Sequence, residues 1–152
     1  MADKSDIVRV KSAYEYIMNF REGFASGSDR LYMPDKTPLE WARKQAATYG
    51  NHPSGDPAEF IRAVRIMEHR VAESLVVQTC QFGQGCTKRA DVDCATTFGP
   101  WGYMCAEHYE RVGRGLGLGA GQVMIYLTHT NEAGYTVLSN QFNQTNQTNQ
   151  TN

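Results

Sequence analysis

The sequence is poor in the features that mark whole classes of protein. No apolar run approaches the roughly 18–20 residues that cross a bilayer as a helix, which excludes a bundle of such helices. The opening Met1-Ala2-Asp3-Lys4-Ser5-Asp6 has no apolar core of a secretory signal, so a cytoplasmic location is expected. Charge of one sign is also missing. Fifteen Lys and Arg face sixteen Asp and Glu for a net charge of −1, with eleven of each sign through residue 79 and four of each from 80 to 121. This excludes the domain-wide basic surface that a pure phosphate binder needs. Charged residues make up only 20% and hydrophobic residues 41%, too apolar a mixture for wholesale disorder. With 152 residues, the chain is long enough for one domain, or one with a small appendage, without covalent staples.

Three helices are predicted before the first cysteine. Ile7, Val10, Tyr14, Ile17 and Phe24, with Met18 beside them, fall mostly at three- and four-residue steps and line one helix face. Gly23 and the cluster Ala25-Ser26-Gly27-Ser28 end that helix. Thr37-Pro38-Leu39-Glu40 reads as an N-cap, a first-turn proline and a capping-box glutamate, opening a helix that stops near Tyr49-Gly50. Asp56-Pro57-Ala58-Glu59 repeats the pattern, and its helix carries Phe60, Val64, Met67, Val71 and Leu75 on one stripe. The Gly50–Asp56 link is too long for a DNA-reading helix-turn-helix, so the pair is expected to pack on the first helix.

From about Thr79 the helical period gives way to cysteine, glycine and short strand-like runs. Gly113 to Gly121 alternate glycine with other residues. A P-loop requires Gly-Lys-Ser/Thr after a strand, whereas this ladder ends Gly121-Gln122 after a helix, so tight backbone packing or a hinge is expected. Val123–Leu127 and Tyr135–Leu138 form a predicted hairpin through Asn131-Glu132-Ala133-Gly134. Three Asn-Gln-Thr triplets close the sequence as a polar tract with nothing to bury.

Cys80, Cys86, Cys94, Cys105 and His108 carry the chemistry. They lie as Cys-x5-Cys and Cys-x2-His across an eighteen-residue gap, with Cys94 inside it. In a reducing compartment four cysteines are better used on metal than in disulfides. Structural zinc takes four sulfur or nitrogen donors at tetrahedral corners, and two short-spaced pairs supply one edge each. Phe98-Gly99-Pro100-Trp101-Gly102 reads as a turn, and Cys105 opens a helix that puts His108 on the same face. The helix start is expected to favour the Cys105 thiolate. The predicted ligands are Cys80, Cys86, Cys105 and His108. The alternatives are Cys94 replacing His108 in an all-cysteine site, reduced and unliganded cysteines, or a redox switch. With His108 as the fourth ligand, Cys94 is instead expected to be a small buried side chain on the strand face Ala90, Val92, Cys94 and Thr96.

Residues 79–112 resemble treble-clef-like zinc fingers, with Cys80 and Cys86 matching the knuckle ligands and Cys105 and His108 the helix-start ligands. The run from Trp101 to His108 also resembles small zinc-finger accessory proteins encoded by bacteriophages, which implies a bacterial host cytoplasm. The first pair is wider than the usual knuckle.

A closed four-donor site is expected to be structural, because catalytic zinc keeps an open position. Glu107, the one adjacent base, is expected to point outward. No His-Glu-x-x-His, deaminase or His-Asn-His nuclease pattern occurs.

The expected fold class is α+β: a helical unit over 1–78, a zinc finger over 79–112, a Gly-rich segment and hairpin over 113–139, and a disordered tail over 140–152. The expected function is a non-enzymatic interaction protein with structural zinc and a protein partner. One alternative is nucleic-acid binding through Lys88, Arg89, Arg111 and Arg114 with Trp101 or Tyr103. The other is a metal-dependent hydrolase.

Overall fold

The computed structural model describes residues 2–27, 36–48, 57–131, 134–138 and 141–142. Helices α1 (Lys4–Gly27), α2 (Pro38–Thr48) and α3 (Pro57–Met67) precede strand β1 (Val71–Ser74). Strands β2 (Val92–Ala95) and β3 (Trp101–Met104) follow, then helix α4 (Ala106–Val112), β4 (Gly121–Thr130) and β5 (Gly134–Val137). The fold is mixed α+β, as the residue pattern implied.

The apolar stripe of α1 does what its spacing requires: Ile7, Val10, Tyr14, Ile17 and Met18 are all buried. At α2 the capping box closes in both directions. Thr37 N–H donates to Glu40 Oε1 at 3.1 Å, and Glu40 N–H donates to Thr37 Oγ1 at 3.3 Å. Trp41 and Phe60 meet edge-on at 6.0 Å between ring centres and join α2 to α3. The link between those helices, the Asp56 cap and the Asn-Gln-Thr triplets lie outside the described residues.

The stripe predicted for α3 holds only through Met67. Residues 68–70 form a turn with His69 at φ 62, and Val71 enters β1 instead of continuing the helix. Val71 still satisfies its apolar character, but against Val123 of β4. Leu75, the next expected position, is 58% exposed. Spacing by four cannot separate a further helical turn from a short strand whose first residue is buried. Arg70 helps to end α3 by donating from its guanidinium to the terminal carbonyls of Arg65 and Ile66.

One sheet organises the second half, in the order β1-β4-β2-β3, with β5 also on β4. β1 and β4 run parallel, while the β2–β3, β2–β4 and β4–β5 pairs are antiparallel. The predicted hairpin is thus β4–β5, with Leu127 opposite Val137. The expected turn at 98–102 is shorter, because Trp101 and Gly102 already pair with Ala95 and Cys94. β4 bonds to β1 on one side and to β2 on the other, so the strands flanking the cysteines share one sheet with the strand that follows α3.

Two residues of the tail expected from residue 140 belong to the fold. Gln141 is buried, and its side-chain amide bonds both the N–H and the carbonyl of Tyr126, as a strand edge would. Phe142 packs on Tyr14 at 6.1 Å between ring centres.

Candidate metal centre

Cys80 and Cys86 sit at the two ends of a loop whose arms are paired. Cys80 N–H donates to the Lys88 carbonyl at 2.8 Å, and Thr79 bridges Arg89. Five intervening residues make a wide knuckle, and glycine closes it. Gly83 and Gly85 adopt φ 75 and 79, the left-handed region that costs L residues energy. Cys86 N–H then donates back to the Gly83 carbonyl at 3.2 Å. Gln81 ties the loop to β3 by bonding both the carbonyl and the N–H of Tyr103.

The second pair comes from α4. Cys105 is its N-cap residue, with φ −74 and ψ 170, and His108 lies one turn on. His108 Nδ1 stands 3.3 Å from Cys80 Sγ and 3.2 Å from Cys105 Sγ. The donor atoms of Cys80, Cys86, Cys105 and His108 all lie within 4.8 Å of one another. Tetrahedral zinc, with Zn–S about 2.3 Å and Zn–N about 2.0–2.1 Å, separates its donors by roughly 3.6–3.8 Å. The four side chains are therefore placed to hold a metal ion, with His108 presenting Nδ1. Cys80 and Cys105 are buried, while Cys86 and His108 are half-buried.

Burial pushes the Cys105 thiol up to about 11, and the neighbouring Cys80 and Cys86 add to the effect. The His108 backbone N–H acts in the opposite direction but is outweighed. The helix start does favour the thiolate, as expected, but desolvation of a charge in a buried sulfur cluster is the larger effect. Cys86, at the exposed side, is lowered, chiefly by the N–H of Lys88. A cation among three sulfurs is the counter-charge that such a cluster lacks.

Cys94 is elsewhere. It is fully buried in β2, and its thiol donates to the Ala95 carbonyl at 3.1 Å and the Gly115 carbonyl at 3.4 Å. The glycine ladder packs around it: a Cβ at Gly121 would lie 2.9 Å from Cys94 Sγ and 2.6 Å from the Gly115 oxygen. Glu107 is exposed and ion-paired to Lys88. Of the other basic residues considered for nucleic acid, Arg89 lies over the Tyr126 ring at 5.6 Å, while Arg111 and Arg114 are exposed. Trp101 is 52% exposed and Tyr103 is half-buried.

Three contacts near the centre have no local signal in the sequence, although Gly83 and Gly85 do imply a loop that bends back. Gly83 lies against the His108 ring, where a Cβ would come within 2.5 Å of Nε2. Asp91 accepts the Ala106 N–H at 2.8 Å and an ammonium proton of Lys11 at 3.2 Å. Lys11 was visible only as a charged residue inside the apolar stripe of α1; its partner was not.

No helix among the described residues is long and apolar enough to cross a membrane. Set against protein-family models, curated proteins and solved structures, the chain matches none of them.

Proposed function

We propose that the protein is a non-enzymatic interaction module, stabilised by structural zinc, that binds another protein. The observation that carries this is the convergence of Cys80, Cys86, Cys105 and His108 on one point. Three thiols and an imidazole are a preferred zinc set, and four protein donors complete a tetrahedron without a water position. The order of a knuckle, a β-hairpin and a ligand-bearing helix supports the treble-clef-like reading. The Glu107–Lys88 pair supports a structural over a hydrolytic centre, because the nearest candidate base is engaged elsewhere.

A protein partner is supported by the balanced charge and by Phe98 (65% exposed), Trp101 and Leu118 (83% exposed). Phe98 and Leu118 stand on turns and Trp101 opens β3 at one end of the sheet, where Trp101 pairs with Ala95 and Ala95 N–H bonds the Ala120 carbonyl. Large exposed aromatic side chains are the residues that anchor interfaces. Nucleic-acid binding is the second reading, favoured by exposed Arg111 and Arg114 near the same end.

Zinc content and thermal stability of single variants test the centre. Cys80→Ser, Cys86→Ser, Cys105→Ser and His108→Ala are expected to lose zinc, whereas Cys94→Ser keeps it. Zinc loss in Cys94→Ser with retention in His108→Ala would refute the ligand set. A cobalt(II) spectrum showing four protein donors supports the structural role, and an exchangeable water at the ion would overturn it. Partner capture that Trp101→Ala abolishes supports the protein-binding reading. DNA or RNA affinity that falls steeply with salt would replace it with the second.

A further inference from the structure

Asp91 lies at a junction of the fold. Its N–H donates to the Met104 carbonyl at 2.9 Å, and its own carbonyl accepts the Met124 N–H at 2.8 Å. The residue is thereby pinned between β3 and β4, just before β2. Its carboxylate divides between two partners. Oδ2 accepts the N–H of Ala106, the first residue of α4 and the immediate neighbour of Cys105. Oδ1 accepts from Nζ of Lys11, a residue only 5% exposed within the α1 core face. An ammonium buried that deeply requires a partner, so Lys11 holds the carboxylate in one orientation.

The knuckle supplies Cys80 and Cys86 from one side, while Cys105 and His108 arrive together on the first turn of α4. The aim of that turn decides whether the second pair meets the first. We infer that Asp91 is a positioning residue of the metal centre, orienting α4 through the Ala106 N–H while Lys11 of α1 fixes its carboxylate. The inference rests on the metal-holding reading above. It adds that the four ligands are not sufficient, and that the helical half of the chain helps to set the geometry of the site.

The test uses the full chain, with cobalt(II) and zinc(II) affinities measured by competition with a chromophoric chelator and with the cobalt spectrum recorded on each loaded variant. Asp91→Ala removes the acceptor. Ala106→Pro removes the donor and suits its place: proline is favoured at a first helical position, and the extended Cys105 at ψ 170 is the conformation that precedes proline. Each change is expected to weaken metal binding about tenfold, the lower end for outer partners of metal sites. Because both remove the same Ala106 N–H to Asp91 Oδ2 bond, the double variant should lose no more than about twofold beyond either single. Asp91→Asn keeps an acceptor and should stay within about threefold of the parent. A purely structural role would lower thermal stability but leave the cobalt bands of the loaded protein in place, whereas a positioning role shifts them.

Ala106→Pro with parental affinity and an unchanged spectrum overturns the inference, and so do losses that multiply in the double variant. If Asp91→Ala fails to fold, Ala106→Pro alone carries the decision. A parent protein that takes up no cobalt defeats the metal reading itself. A parent that binds cobalt beside insensitive variants defeats only the role of Asp91.

Discussion

Gly83 and Gly85 offer a matched pair of perturbations in the knuckle loop. Both have φ near +80, so replacing either with alanine imposes the same left-handed strain, about 1–2 kcal/mol. Their surroundings differ completely. At Gly85 a Cβ meets nothing within 4 Å, whereas at Gly83 it would lie 2.5 Å from Nε2 and 2.6 Å from Cε1 of His108. Ordinary contact begins near 3.4 Å, so the ring must retreat by roughly 0.9 Å. Metal–ligand distances tolerate only about 0.2 Å. Gly83→Ala should therefore weaken zinc or cobalt binding about 10–100-fold, while Gly85→Ala leaves it within about threefold. Metal-free, both variants should melt a few degrees lower; at about 2–4 °C per kcal/mol for a chain of this size, backbone strain alone gives roughly 2–8 °C. Chelator competition on the two variants separates strain from ligand displacement. Equal metal affinities in Gly83→Ala and Gly85→Ala would refute the placement of His108 against the loop.

Three further outcomes follow from buried or half-buried polar groups. Tyr126 donates to the Ala90 carbonyl at 2.8 Å, and burial pushes its phenol up to about 12 from an ordinary 10. A raised folded value means that its contribution is complete below pH 10 and is lost as pH climbs from 10 towards 12. Urea denaturation from pH 8 to 11.5 should show a steeper alkaline loss in the parent than in Tyr126→Phe, which should also be about 1 kcal/mol less stable at pH 7; parallel pH profiles would contradict this. Gln141→Ala strips both side-chain bonds from the Tyr126 backbone and should cost about 1–3 kcal/mol by chemical denaturation. Glu73 accepts the Tyr14 O–H at 2.7 Å and the Leu39 N–H at 2.9 Å with one oxygen, tying β1 to α1 and α2. Glu73→Ala should lower stability by about 2 kcal/mol and Glu73→Gln by less, with melting temperature as the readout.

Much of this is legible in the sequence where a residue pattern has one local meaning. The stripe from Ile7 to Met18 can only be a helix face, and Thr37 with Glu40 specifies a cap through bonds within one turn. The pairs Cys80/Cys86 and Cys105/His108 announce a metal cluster through residue type and spacing. Where a pattern has two local meanings, the sequence misleads. Val71 continues the spacing of α3 yet belongs to β1, because pairing with Val123, more than fifty residues on, decides its backbone. Gln141 reads as the start of a polar tract yet is enclosed, because its amide replaces a strand partner for Tyr126.

By itself, then, the sequence determined the α+β class, the cap of α2, the core face of α1 and a cysteine–histidine cluster in which Cys94 and His108 still competed for the fourth place. Each depends on chemistry carried by residues near one another in the chain, or by side chains with few other uses. The tertiary structure decided which histidine nitrogen faces the sulfurs, that Cys94 lies apart from them, and that burial outweighs the helix start at Cys105. It also decided that Asp91 joins Lys11 to the first turn of α4. Those are consequences of distance and desolvation between segments far apart in sequence, and no local pattern encodes them.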